Sequence, residues 1–156
     1  MAGQLTHFFY PHSNIHKAVF TFPINRQLRI NGWVTRELLA NPDGFDGNGE
    51  PCLIVMKYGN ATDLTVGRYT GLEAYVCDGL GQESTELAIY NYDRDSGPFS
   101  AKGDSGSLIF DGTGKMVGIL HSGMPQGVTS FATPAWWAME KLKAKYPHAD
   151  FNHQNF

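Results

Sequence analysis

Short runs of β-forming residues, separated by turn residues, dominate this chain and limit the folds that it can adopt. Apolar and β-branched runs occupy residues 53–58, 64–76, 86–92, 107–111, 115–122 and 128–133. Clusters of Gly, Asp, Asn and Pro lie between them. Six short strands at this spacing predict an all-β fold, either a closed antiparallel barrel or a sandwich.

Helical and further β patterns flank these six runs. Residues 18–22 and 28–34 are predicted strands, and residues 35–40 are a predicted helical turn that ends before Pro42. A C-terminal helix is predicted over residues 135–147, with Pro134 suited to its first position. Its apolar stripe is predicted to pack against the core and consists of Ala135, Met139, Leu142 and Tyr146.

Length and composition predict one globular domain. The chain has 156 residues, of which 42% are hydrophobic and 17% charged, which are values of a folded protein. We expect a single domain over 1–156, with an N-terminal segment at 1–50, a barrel at 51–134, the helix at 135–147 and a tail at 148–156.

Charge and targeting patterns narrow the function classes. A net charge of −3 argues against a general basic surface that would bind nucleic acid. No apolar run reaches the length of a membrane span, so no membrane partner is expected. The first residues lack a signal-peptide pattern, and the two cysteines, Cys52 and Cys77, are expected to be reduced thiols in the core. These features predict an intracellular protein.

Residues 103–107, Gly-Asp-Ser-Gly-Ser, form the strongest functional motif. Glycines on both sides of a serine let the backbone bend sharply and approach a ligand closely. A serine hydroxyl needs an adjacent base to act as a nucleophile. The amides of Gly103 and Ser105 are predicted to point at one spot, where they would hold an oxyanion, a carbonyl or a carboxylate. We therefore expect a ligand cradle at Gly103, Asp104 and Ser105.

With the hairpin that follows it, this motif resembles the second barrel of the chymotrypsin-like serine peptidases. Segments 48–57, 65–71, 96–107 and 132–137 are similar to the C-terminal half of a family of trypsin-like peptidase domains from mushroom-forming fungi. The similarity runs from about residue 13 to residue 151. It implies a six-stranded antiparallel Greek-key barrel with a C-terminal helix. The family's catalytic histidine and aspartate belong to a first barrel, and neither motif is found in this sequence.

His121 is the candidate for the missing base. It lies near the end of the predicted strand at residues 115–122, which follows the Ser105 motif. Relatives in the resembled family usually carry a small hydroxyl residue at this position. One interpretation makes it a base for Ser105, and the other makes it a packed strand histidine. The resemblance places Phe99 at the floor of a specificity pocket, which it would line or fill. Ser122 and Gly123 are expected at the edge of the groove.

No metal site or cofactor is predicted. His7, His12 and His16 lie in an extended aromatic segment with Pro11, whereas a metal pair four residues apart requires a helix. The acidic loop at residues 43–50 lacks the bidentate carboxylate that closes a calcium loop. A bound small-molecule ligand is the one non-protein component expected.

Three functions are compatible with these residues. The first is a non-proteolytic binding protein that holds a small aromatic or anionic ligand, a pigment-like compound being one candidate, or a peptide end. The second is a serine hydrolase or peptidase that uses Ser105 with His121 or with a base from another chain. The third is a defence or interaction protein that does not use this site. The first is favoured because losing triad members removes most of the chemistry and leaves the binding geometry.

A homodimer is also expected. The face beside Ser105 would be exposed and apolar without a first barrel, and large patches of that kind are rare on soluble monomers. A second copy would cover it through a two-fold interface. The alternative is cover in cis by residues 7–10 together with Phe20, Phe22 and Trp33.

Overall fold

The computed structural model describes residues 29–46, 48–77 and 80–150 of the chain. The strand predicted at residues 18–22, the three histidines His7, His12 and His16, and the tail beyond residue 150 lie outside the described residues. None of the helices in the described part of the chain is long and apolar enough to cross a membrane.

The described residues form seven strands and two helices. The strands are β1 (Gly44–Phe45), β2 (Pro51–Gly59), β3 (Asp63–Cys77), β4 (Glu83–Asn91), β5 (Leu108–Asp111), β6 (Met116–Gly123) and β7 (Thr129–Pro134). The helices are α1 (Arg36–Ala40) and α2 (Ala135–Lys145).

Six of the strands close into a barrel. The sheet order is β1-β2-β3-β4-β7-β6-β5, and every neighbouring pair is antiparallel. β5 also pairs with β2, where Lys57 lies opposite Ile109, and this pairing closes the ring. The order β5-β2-β3-β4 is that of a Greek key. The predicted all-β class, the six-stranded antiparallel barrel and the C-terminal helix are confirmed.

The barrel interior is a single apolar core. Alternate residues of a strand point to opposite faces, so Leu53 and Val55 of β2 face inward and join a buried cluster. That cluster includes Tyr69, Leu87, Ile89, Phe99, Ile109, Val117 and Leu120. On the other face of β2, Cys52, Ile54 and Met56 form a second buried cluster. Lys57 is the one charged side chain of β2, and it is fully buried.

The β5–β6 hairpin brings two parts of the site together. Asp111 Oδ1 accepts the amide hydrogens of Thr113 and Lys115, each at 2.9 Å. Gly114 takes a left-handed φ of +82°, which glycine adopts at little cost. This turn folds β6 back along β5, so His121 lies beside the segment that carries Ser105.

Several predicted details are corrected. The described part of the predicted strand at 28–34 makes only one isolated bridge, between Trp33 and Met116, because Gly32 at φ +108° interrupts the extended backbone. The short strand β1 lies in a segment predicted as a loop. Helix α2 has Pro134 at its N-cap and ends at Lys145.

The structure also bears on the predictions for Tyr146 and for the two cysteines. Tyr146 is 53% exposed and does not continue the apolar stripe, because the helix has already ended. No disulfide joins the two cysteines, and Cys52 is buried. Cys77 is exposed, which corrects its predicted place in the core, because it lies at the outer end of β3.

Candidate functional site

The serine turn lies between β4 and β5 and is tied to β6. Gly106 N–H donates to the Leu120 carbonyl at 2.7 Å, and Leu120 N–H donates to the Ser107 carbonyl at 3.0 Å. Ser105 Oγ donates to the main-chain carbonyl of His121 at 3.0 Å. The Ser105 hydroxyl is therefore held by a carbonyl oxygen and not by an imidazole nitrogen.

Asp104 points into the barrel and not toward the ligand side of the turn. Its Oδ1 accepts the amide hydrogens of Ala61 and Thr62 at 2.7 and 3.2 Å. Its Oδ2 accepts the amide of Ala101 at 3.0 Å and the Thr62 hydroxyl at 2.7 Å. This corrects the expectation that Asp104 is part of the ligand cradle, because its carboxylate is fully used inside the protein.

Lys57 is the counter-ion of Asp104. Its Nζ lies 3.0 Å from Asp104 Oδ2, and both side chains are completely buried. Lys57 also donates to Thr62 Oγ1 at 2.6 Å. Burial opposes ionisation of Asp104, but the hydrogen bonds from Thr62, Ala101, Ala61 and Lys57 outweigh it and hold the pKa of that carboxyl well below its usual value. The pair fixes the turn to β2.

Two main-chain donors of the turn are left unused. Within the part of the chain that the structure describes, the amides of Gly103 and Ser105 donate to no acceptor. Gly103 has φ +111°, a conformation that residues with a Cβ rarely adopt. The turn thus presents two free N–H groups from a backbone that the buried ion pair holds in place.

A cavity of about 740 Å³ opens beside Ser105. Its apolar lining comes from Pro98, Ala101, Leu120, Met124 and Pro125. Its polar side chains are Asn91, Ser100, Ser105, Ser122 and Gln126, and Gly123 forms part of its edge. Lys102 is the one charged side chain among the described residues that line it. Ser122 and Gly123, which the sequence predicted at the edge of a groove, both line this cavity.

Phe99 lies in the core and not in the cavity wall. It is 0% exposed and packs in the main buried cluster, while its neighbours Pro98 and Ser100 line the cavity. Its amide donates to Asn91 Oδ1 at 2.8 Å, and its carbonyl accepts from Thr65 Oγ1 at 2.7 Å. This corrects the placement of Phe99 at the groove, because these bonds hold the extended segment with that side chain facing inward. The cavity is open and has no aromatic wall in the described residues.

The His121 ring contacts Ser122 and Glu86. His121 Nδ1 lies 2.9 Å from Ser122 Oγ, and His121 Nε2 lies 3.0 Å from Glu86 Oε2. The ring is 38% exposed, whereas the Glu86 side chain is 9% exposed. The sequence suggested that His121 could act as a base for Ser105. In the structure its imidazole faces Ser122 instead.

Two residues of this region were missed from the sequence. Lys57 and Glu86 both lie in predicted strands and were not given a role. A charged residue directly next to an apolar run such as Leu53–Met56 or Leu87–Ile89 is a signal for a buried pair, since charges are rarely buried without a partner. Among the described residues, no three His, Cys, Asp or Glu side chains gather in a way that would hold a metal ion.

Comparisons with known proteins give structural matches only. No protein-family model matches the chain, and no curated protein matches it. Solved structures similar to it include a chymotrypsin of Cellulomonas bogoriensis, 18% identical with a TM-score of 0.47 over 78% of this chain and 53% of that one. Another is the active form of the Rv3671c protease of M. tuberculosis, 18% identical with a TM-score of 0.43 over 58% of this chain and 40% of that one. The chain thus spans about half the length of these structures or less.

A Gly59→Ala change tests how tightly the buried pair is packed. A Cβ at Gly59 would lie 2.8 Å from Lys57 Nζ and closer still to Asp104 Oδ1. We expect a loss of about 1–3 kcal/mol in the free energy of unfolding, measured by urea denaturation. Ser84→Ala, at an exposed position of β4, is the control and should change stability by no more than about 0.5 kcal/mol. Equal stability of the two variants would show that the space beside Asp104 is larger than described.

Proposed function

We propose that this protein is a non-proteolytic binding protein on a serine-peptidase-like barrel. Its ligand is a small molecule or a peptide end that carries a carbonyl or carboxylate group and lies in the cavity beside Ser105. The observation that carries the proposal is the pair of unused amides, Gly103 and Ser105, on a turn fixed by the Lys57–Asp104 ion pair. Preorganised N–H donors of this kind stabilise negative charge on oxygen without having to reorganise.

The chemistry of the cavity supports this ligand class. A volume of about 740 Å³ is within the range of small-molecule sites. Lys102 gives the lining a positive charge, and no described lining residue carries a negative one, so an anion is favoured over a cation. Pro98, Leu120 and Met124 supply an apolar surface for an aromatic or aliphatic body.

The state of Ser105 supports binding over peptide hydrolysis. Its hydroxyl donates to the His121 carbonyl, which cannot accept a proton as a general base. No imidazole among the described residues contacts Ser105 Oγ. A serine without a base is a weak nucleophile. The homodimer, the intracellular location and the defence or interaction role expected from the sequence stay predictions.

Titration calorimetry with matched ligands tests the proposal. We expect benzoate to bind and benzylamine, of similar size but opposite charge, to bind at least tenfold more weakly. Gly103→Ala should weaken benzoate binding at least tenfold. An alanine at φ +111° costs about 1–2 kcal/mol in backbone strain, which the turn relieves by moving the amides.

Gly81→Ala is the matched control. Gly81 also has a positive φ, +77°, but it lies in the β3–β4 connection and does not line the cavity. It should lose similar stability and keep benzoate affinity. Equal affinity for the two ligands, or equal binding by the two glycine variants, would contradict the proposed site.

A further inference from the structure

We propose that Ser122, His121 and Glu86 form a nucleophilic site that hydrolyses small esters, separate from the Ser105 turn. The inference goes beyond ligand binding and rests on the proposed function in one respect, because the ester must enter the same cavity. Ser122 lines that cavity. Its substrate class is therefore a small acyl ester whose carbonyl the cavity accommodates.

The three side chains form a continuous array. Ser122 Oγ lies 2.9 Å from His121 Nδ1, and His121 Nε2 lies 3.0 Å from Glu86 Oε2. A hydroxyl within hydrogen-bond reach of a base, with that base oriented by a third group, is the signature of an activated nucleophile. The Ser105 hydroxyl lacks such a contact, since it donates to a carbonyl oxygen.

A strand irregularity places two adjacent residues on the same side. Adjacent side chains of a regular strand point to opposite faces. The β6–β7 register shifts between Leu120, opposite Ala132, and Ser122, opposite Phe131, so His121 is the extra residue of a β-bulge. Bulges re-aim side chains and are frequent beside active sites. This one lets the imidazole of His121 reach the hydroxyl of Ser122.

The carboxylate of Glu86 contacts the ring of His121. Its side chain is 9% exposed, and apart from the ion-pair contact its Oε2 has no hydrogen-bond partner among the described residues. The Nε2–Oε2 contact has an ion-pair distance but not hydrogen-bond geometry. In the tautomer that carries its proton on Nε2, the imidazole keeps an Nδ1 lone pair that can accept the proton of the Ser122 hydroxyl. A buried carboxylate in this position orients the ring and stabilises the imidazolium that forms when Nδ1 takes a proton. Glu86 is accordingly a positioning residue.

The reaction balances with water as the only co-reactant. Ser122 Oγ attacks the ester carbonyl carbon while its proton moves to His121 Nδ1. The tetrahedral intermediate collapses, the C–O bond to the alcohol breaks, and the alcohol oxygen takes that proton. Water then attacks the acyl-Ser122 carbonyl and gives a proton to Nδ1, which returns it to Ser122 Oγ as the carboxylic acid leaves. The unused amides of Gly103 and Ser105 are the candidate donors to the intermediate's oxyanion.

Labelling with a fluorophosphonate tests the nucleophile directly. We expect the full-length protein to gain one adduct with loss of fluoride, and peptide mapping by mass spectrometry to place it on Ser122. Ser122→Ala should abolish the adduct and the hydrolysis of p-nitrophenyl acetate. His121→Gln should slow labelling about 100-fold or more. Ser84→Ala, an exposed serine on the strand of Glu86, should label and hydrolyse like the unmodified chain.

Steady-state kinetics separate positioning by Glu86 from a structural role. Glu86→Gln should lower kcat for the ester about tenfold or more and leave KM within twofold, with the unfolding midpoint measured alongside. A fall in stability with unchanged kcat would overturn the role of Glu86. An adduct on Ser105, or none at all, would overturn the proposal. Benzoate titration of the unmodified protein distinguishes the failures: binding without labelling leaves the proposed function standing, and absence of both removes both.

Discussion

Lys57→Met is expected to lower the free energy of unfolding by about 3–5 kcal/mol, because it leaves the buried carboxylate of Asp104 without its counter-ion. The hydrogen bonds from Ala61, Thr62 and Ala101 compensate only part of this charge. Urea denaturation followed by circular dichroism at neutral pH measures the change. The loss should be accompanied by weaker benzoate binding, since Asp104 lies between the two amides of the cradle.

Two further variants make this result specific. Lys115→Met removes an exposed lysine beside the β5–β6 turn and should change stability by no more than about 0.5 kcal/mol. Lys57→Met combined with Asp104→Asn should be more stable than the sum of the single changes implies, because the unpaired charge is then absent. Additive losses would show that the two side chains do not interact as a pair.

Phe99→Ala is expected to cost about 3–5 kcal/mol of stability through the cavity that it leaves in the core. The ring is completely buried, and it lies so close to Gly67 that a Cβ there would be 2.7 Å from Phe99 Cδ2. Such tight packing leaves little room for the surroundings to collapse into the space. The ring also lies 5.7 Å from Lys57 Nζ, a contact that the substitution removes.

Phe45→Ala supplies the comparison for Phe99. Phe45 is 50% exposed on β1, so the same deletion there should cost less than about 1 kcal/mol. The urea concentrations at the unfolding midpoints of the two variants measure the difference when both variants have the same m-value, the slope of the unfolding free energy against urea concentration. If Phe99→Ala were as mild as Phe45→Ala, the side chain would lie at the cavity as first expected from the sequence.

The barrel was predictable because its signals are local. Strand alternation and turn residues located all six barrel strands within a few residues, and Pro134 located the start of the last helix. Segment 29–34 was less predictable, because an apolar β-type run does not show that Gly32 takes a left-handed conformation. The two-residue strand β1 depends on its partner β2 and has no pattern of its own.

The site was predicted only in part because its decisive contacts are long-range. The motif indicated a sharp turn around Ser105, but adjacency to Ser105 suggested that Asp104 faces the ligand. Its partner Lys57 comes from a distant strand, which no local pattern reveals. The direction of Phe99 depends on hydrogen bonds to Asn91 and Thr65. The partners of His121 depend on a bulge, and one extra residue in a strand leaves no trace in its composition.

The pairing of β2 with β5 has a consequence for how the protein opens. Lys57 lies on β2, Asp104 immediately precedes β5, and this is the pairing that closes the ring. The cradle therefore belongs to the same cooperative unit as the barrel and cannot unfold as an independent loop. We therefore expect hydrogen exchange at these strand amides to proceed through global opening. A ligand that binds the folded cradle and not the unfolded chain should stabilise the entire barrel by mass action.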